Sequence, residues 1–198
     1  MTSKLTKIFI ETPIWNDDSK KLSKDDSIDN GIQNARMTAK TYGKKPVSVN
    51  KYGDFVIEIW EYRLPAVKNK TNVLVFCLNQ NKTVGFIRAE KVDGDSLTSK
   101  FPVIELTVVK DEYQGKGIGK TMYKNLMDTY SGLISDTSLT GESGTGSYDI
   151  WERMGGTYNA YLYFGDKLKR VPKFNRNMLK KNNKNAETRF VVSKEEIK

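Results

Sequence analysis

Apolar and polar residues alternate along FVIEIWEYRL (55–64), with β-branched and aromatic types prominent, and the pattern predicts a strand. Ahead of it, a short alternating run from Leu5 to Glu11 reads as a strand and WNDDSKKLSKDDS (15–27) as loop. Ile28, Ile32, Ala35 and Ala39 form one face of a helix that starts near Ser27 and Asp29 and ends near Gly43. Residues 44–54, with Pro46 and Gly53, read as a connection. VLVFCLN (73–79) is a buried-strand run, Gln80-Asn81-Lys82 a turn, and TVGFIRAEKV (83–92) the return, which predicts a hairpin. A loop rich in Gly, Asp and Ser (93–100) leads to another strand, PVIELTVV (102–109).

The period then changes to steps of three and four. Ile118, Met122, Tyr123, Leu126, Met127 and Tyr130 place one apolar stripe on a helix, which Gly132 closes. GLIS (132–135) is a short strand and TSLTGESGTGS (137–147) a loop. Ile150, Trp151 and Met154 mark a short helix ended by Gly155-Gly156, and YNAYLYF (158–164) and RFVVS (189–193) are the last strands. No internal repeat is visible. The fold class expected is α+β, a mixed, mostly antiparallel twisted sheet flanked by helices.

Composition narrows the chemistry. The 198 residues suit one domain with an added segment. No apolar run approaches the roughly 20 residues needed to span a membrane, and MTSKLTKIFIETP lacks the apolar centre of a secretory signal, so a cytoplasmic protein without a membrane partner is expected. The single cysteine, Cys77, sits in an apolar run and reads as core. The chain has no histidine, which excludes His-based triads and the usual zinc sites; no metal is expected. Net charge is +9, but residues 165–185 hold eight Lys/Arg and one Asp, hence +7 against +2 for the remainder. That segment reads either as a solvated loop or as a docking surface for nucleic acid, coenzyme phosphates or an acidic partner.

The chemistry-bearing stretch is YQGKGIGKT (113–121), which follows a strand and opens a helix. Its end, Gly119-Lys120-Thr121, matches a nucleotide P-loop, but that motif requires glycine at 114, where Gln114 stands. A P-loop also belongs to a parallel sheet, against which the strand meander at 55–109 argues. The dinucleotide fingerprint fails as well, with Lys120 at its third glycine. Small residues at 115, 117 and 119 let an anion approach backbone N–H groups at a helix N-terminus.

Gln114-Gly115-Lys116-Gly117-Ile118-Gly119 and its surroundings, VIELTVVKDEYQGKGIGKTMYKNLM (103–127), resemble the GCN5-related N-acetyltransferase (GNAT) superfamily. The hairpin at 73–92 and IWERMGG (150–156) extend the likeness to about half the chain. The resemblance implies acetyl-CoA as co-substrate, its pyrophosphate held by Gln114, Gly115, Lys116, Gly117, Ile118, Gly119 and Lys120. Backbone groups of Thr107, Val108 and Val109 would pair with the pantetheine arm, as in strand addition.

Some members place a glutamate base on this strand, one pleat farther from the loop, and Glu105 lies on the same face by parity; an outward-facing polar residue is the other reading. The thiolate donor in many members is a tyrosine four residues before the end of the fourth helix. That position is Trp151 here, which has no acidic hydroxyl and reads as core, while Tyr148 stands one turn earlier as a substitute. The departures are similar to those of small phage-encoded relatives. The resemblance thus implies an N-acetyltransferase acting by direct amine attack on an unidentified acceptor, small molecule or protein. A second reading keeps the fold as a catalytically inactive binding or structural module, such as a viral accessory protein. Residues 1–50 are expected to form an N-terminal extension contributing to the acceptor site, and 51–198 the acyl-CoA-binding domain with a basic insertion at 165–185. Either 5–11 or 55–64 fills the place of the first strand.

Overall fold

Strand pairing organises the chain. The computed structural model describes residues 24–94, 97–136, 145–164, 167–174 and 188–197. The strand expected at 5–11, most of the loop at 137–147 and residues 175–187 of the basic segment lie outside the described residues. Among those described, nine strands form one sheet: β1 (Ser48–Tyr52), β2 (Phe55–Tyr62), β3 (Lys70–Asn79), β4 (Lys82–Val92), β5 (Val103–Val109), β6 (Gly132–Ile134), β7 (Asn159–Phe164), β8 (Lys167–Val171) and β9 (Arg189–Ser193). Their order is β1-β2-β3-β4-β5-β6-β9-β7-β8, and every neighbouring pair is antiparallel except β5–β6. The helices are α1 (Lys24–Gly43), the single turn α2 (Leu97–Lys100), α3 (Ile118–Tyr130) and α4 (Thr145–Gly155).

The period-two pattern sends alternate residues of the central strands to two cores. Ile57, Ile59, Val73, Val75, Ile87 and Ala89 are buried with α3 and α4 on one face, through Met122, Leu126, Trp151 and Met154 among others. Trp60, Leu74, Phe76 and Phe86 are buried on the other with Ile32, Ala35 and Ala39 of α1. The N-terminal helix therefore closes one side of the sheet. Cys77 is buried as expected, and burial pushes its thiol up to about 11.

Some boundaries differ from the sequence reading. Residues 44–54 are not only a connection: they contain β1, an edge strand paired on one side, whose Val49, Asn50, Lys51 and Tyr52 are exposed and carry no alternation to read. The segment between the last expected strands contains β8, whose Lys167, Lys169 and Arg170 face solvent. The residue capping the end of α3 in the left-handed region is Ser131, φ 61°, and Gly132 is already in β6. Gly132 is glycine for space: a Cβ there would stand 2.5 Å from the Phe101 ring.

The sheet has one seam. β5 and β6 run parallel but share only the pair Val103 and Ile134, with one further bond from Ile134 N–H to the Pro102 carbonyl. From Glu105 to Val109, β5 is paired with β4 alone. That leaves an edge of roughly 17 Å open within the sheet, at about 3.3 Å per residue.

Candidate active site along the open edge of β5

At the end of β5 the chain makes a 3-10 turn, Asp111–Tyr113, and enters the glycine loop. The Gln114 amide nitrogen donates to the Val109 carbonyl (3.1 Å) and to the Asp111 carboxylate (2.7 Å), so this side chain braces the loop from within. Gly115 and Gly117 have φ of +74° and +77°, the left-handed region that disfavours any side chain. A Cβ at either would meet nothing within 4 Å, so the glycines serve the backbone path and keep its surface bare. Gly117 is also the cap of α3, which begins without a side-chain cap. Ile118 turns into the core while Lys116 and Lys120 stay exposed, Lys116 lying 4.9 Å over the Tyr113 ring. Gly119 is placed differently: a Cβ there would come within 3.3 Å of Ile150 on α4. The loop base is tied across the molecule by Lys110, which pairs with Asp29 of α1 at 2.6 Å.

Beside the loop lies a cleft of about 860 Å³ between α3 and α4. Gly115, Lys120, Tyr123, Ile150, Arg153 and Tyr158 are among its walls. Lys120, Lys124 and Arg153 outnumber the one carboxylate in its lining, Asp149, so the rim is net cationic over a largely apolar floor. The cleft suits an anion with an attached flat or apolar group.

Thr107, Val108 and Val109 are half-buried along the open edge, at the end of β5 nearest the loop. Thr107 faces α3: its Oγ1 lies 2.9 Å from the Tyr123 hydroxyl. Tyr123 is buried, and burial pushes its hydroxyl up to about 12 despite hydrogen bonds with Thr107 and Trp151 that act the other way. Trp151 is 1% exposed and sits edge-on to Tyr123, ring centroids 5.9 Å apart. Tyr148 is also buried, 6.0 Å from the Phe190 ring, and is not among the residues lining the cleft.

Glu105 occupies an irregularity that alternation could not reveal. Leu106 pairs with Arg88 and Ile104 with Ala89, which leaves Glu105 as the extra residue of a β-bulge. Strict alternation would give Glu105 and Thr107 the same face. Instead Glu105 lies 2.8 Å from Arg88, whose neighbours Ile87 and Ala89 point to the α3 side, so the carboxylate is on the α1 side. Burial raises the Glu105 carboxyl above its ordinary range, Arg88 pulls it down, and Glu90 raises it again. Glu90 is itself held by Lys70 at 2.8 Å. The bare loop and the cleft thus open on one side of the sheet and Glu105 on the other, with the seam between them.

Three residues beside the edge and the cleft carry little sequence signal as site residues. Arg88 reads only as a polar position in a strand. Tyr123 belongs to the apolar stripe of α3, and its hydroxyl was the one cue that it could do more. Arg153 needed the position of α4. In the basic segment, Arg170 is spent on Glu196 and on the Asn159 side chain.

The acetyltransferase (GNAT) family model matches residues 36–155. No match was found among curated protein sequences. Solved structures similar to this chain include a GNAT-family acetyltransferase from Staphylococcus aureus Mu50, at 13% identity and TM-score 0.41, covering 63% of this chain and 68% of that one. Another is the ribosomal-protein-S18-alanine N-acetyltransferase of Escherichia coli, at 12% identity and TM-score 0.38, covering 64% and 72%. A third is a Bacillus anthracis protein assigned as a streptothricin acetyltransferase, in complex with acetyl coenzyme A, at 14% identity and TM-score 0.37, covering 73% and 88%.

Proposed function

Because the chain belongs to the GNAT acetyltransferase family, we propose that it transfers an acetyl group from acetyl-CoA to a primary amine, by direct attack in a ternary complex. The observation that carries this reading is the open edge of β5, which runs from the bare glycine loop at one end to a half-buried carboxylate at the other. Backbone groups of Thr107, Val108 and Val109 would take the amide-bearing arm of the coenzyme as an added strand. Residues 114–120 would hold its pyrophosphate on backbone N–H groups and the α3 dipole, with Lys116 and Lys120 adding charge.

The acceptor amine would come from the α1 side. There Glu105 removes a proton as the nitrogen attacks the thioester carbon. A base works best when its affinity for protons approaches the working pH, so a carboxyl raised by burial suits the step better than one in water. The bulge matters because it turns Glu105 away from the face that the coenzyme would occupy.

Calorimetry with acetyl-CoA on the wild type and on Gly117→Glu tests the reading. Micromolar binding lost in the variant supports it, and no binding to the wild type ends it. A mass-spectrometric screen for acetylated amines then identifies the acceptor.

A further inference from the structure

Three side chains from three elements converge on the open edge: Trp151 of α4, Tyr123 of α3 and Thr107 of β5. Trp151 sits edge-on to Tyr123, and since an indole N–H can only donate, any hydrogen bond between them runs to the Tyr123 oxygen. Thr107 Oγ1 and the Tyr123 oxygen stand 2.9 Å apart, and either hydroxyl can be the donor. With Tyr123 as the donor, the Thr107 hydroxyl keeps its own proton for a partner outside the chain of three. Thr107 is half-buried on the open stretch of β5 and on the face where the glycine loop and the cleft lie. Tyr123 itself lines that cleft.

Resting on the acyl-transfer reading, we propose that the Thr107 hydroxyl is the hydrogen-bond donor to the sulfur that departs from the thioester, with Tyr123 and Trp151 as its positioning residues. The amine nitrogen bonds to the carbonyl carbon and gives its proton to Glu105. When the tetrahedral adduct collapses, the C–S bond breaks and its electron pair goes to sulfur. The thiolate forms against the Thr107 O–H and is protonated from solvent, into which Glu105 releases its proton. Thr107 lends a hydrogen bond and undergoes no net change. Donors already aimed at developing charge, and held in place by neighbours, need no reorganisation during the reaction.

The test reads the sulfur directly and needs no acceptor. CoA, as the free thiol, is bound to the protein and titrated by its ultraviolet thiolate absorbance, with desulfo-CoA as the blank. The thiol bound to wild type is expected to ionise about one pKa unit below that bound to Thr107→Val, a tenfold difference in thiolate fraction at fixed pH. Thr107→Ser, which keeps the hydroxyl, retains the wild-type value, and Tyr123→Phe falls between. If Thr107→Val fails to fold, Tyr123→Phe carries the comparison. Bound CoA with the same thiol titration in every variant overturns the proposal and leaves the acyl-transfer reading standing. Absence of CoA binding to wild type overturns both.

Discussion

Glu105 and Arg88 stand 2.8 Å apart on adjacent strands, yet the Glu105 carboxyl is held above its ordinary range, because burial outweighs the guanidinium beside it. Both side chains are about one-third exposed, so the pair is neither a free surface bridge nor a sealed one. The balance leaves a carboxylate with appreciable affinity for a proton and a cation that keeps it from rising further.

That balance predicts a pH signature. Glu105→Gln should lower kcat by about 10²–10⁴-fold. Arg88→Gln removes a charge that lowers the Glu105 carboxyl, so the ascending acid limb of the pH–rate profile should move to higher pH. An acid limb unmoved by Arg88→Gln would assign the base elsewhere.

Stability should follow the same group with the opposite sense from a typical salt-bridged carboxylate. A raised folded-state value means the native protein binds more protons than the unfolded chain between the two values. The contribution of Glu105 is therefore complete below its unfolded value and is lost as pH rises through its folded value. Urea titrations should show Glu105→Gln gaining on wild type as pH rises across that window. A gap independent of pH would contradict the assignment.

Gly132→Ala should destabilise by about 1–3 kcal/mol, the usual cost of forcing volume into a packed core, because its Cβ would stand 2.5 Å from the Phe101 ring. Phe101→Leu in the same chain should recover part of the loss. A denaturant double-mutant cycle measures the recovery, and simple additivity would show that the two positions do not collide.

Gly117→Ala tests the loop by its backbone alone. Holding alanine at φ +77° costs about 1–2 kcal/mol, so the melting temperature should fall. Since nothing crowds the position, the loss of acetyl-CoA affinity should exceed what the drop in stability alone would give. Calorimetry beside a thermal melt separates the two effects.

Saturating CoA should raise the melting temperature and slow amide exchange along Thr107–Val109. At a hundredfold excess over Kd the gain is about 2.7 kcal/mol. Protection confined to the glycine loop, with β5 unchanged, would show that the arm does not lie on the strand.

Much of the central architecture was readable because period and burial agree there. The stripe from Ile118 to Met127 is buried as its spacing implied, and Gln80 and Asn81 turn the β3–β4 hairpin with φ of 47° and 67°. β1 was missed because an exposed edge needs no alternation: Val49 and Tyr52 face solvent as fully as Lys51. β8 was masked by its own lysines. The glycine loop could be read residue by residue, because its requirements are local. The surroundings of Glu105 could not, since a single extra residue in β5 breaks the parity on which a face is counted. Nor could the contact of Thr107 with Tyr123, residues sixteen apart that meet only when α3 docks.

The seam between β5 and β6 has a mechanical meaning. With one shared pair at Val103 and Ile134 and one bond from Ile134 to Pro102, the two halves of the sheet are stitched at one end only, and a guest lying along the open edge would be mortar as well as reagent. Evolution could then discard the reaction and still be obliged to keep the coenzyme, as a building material.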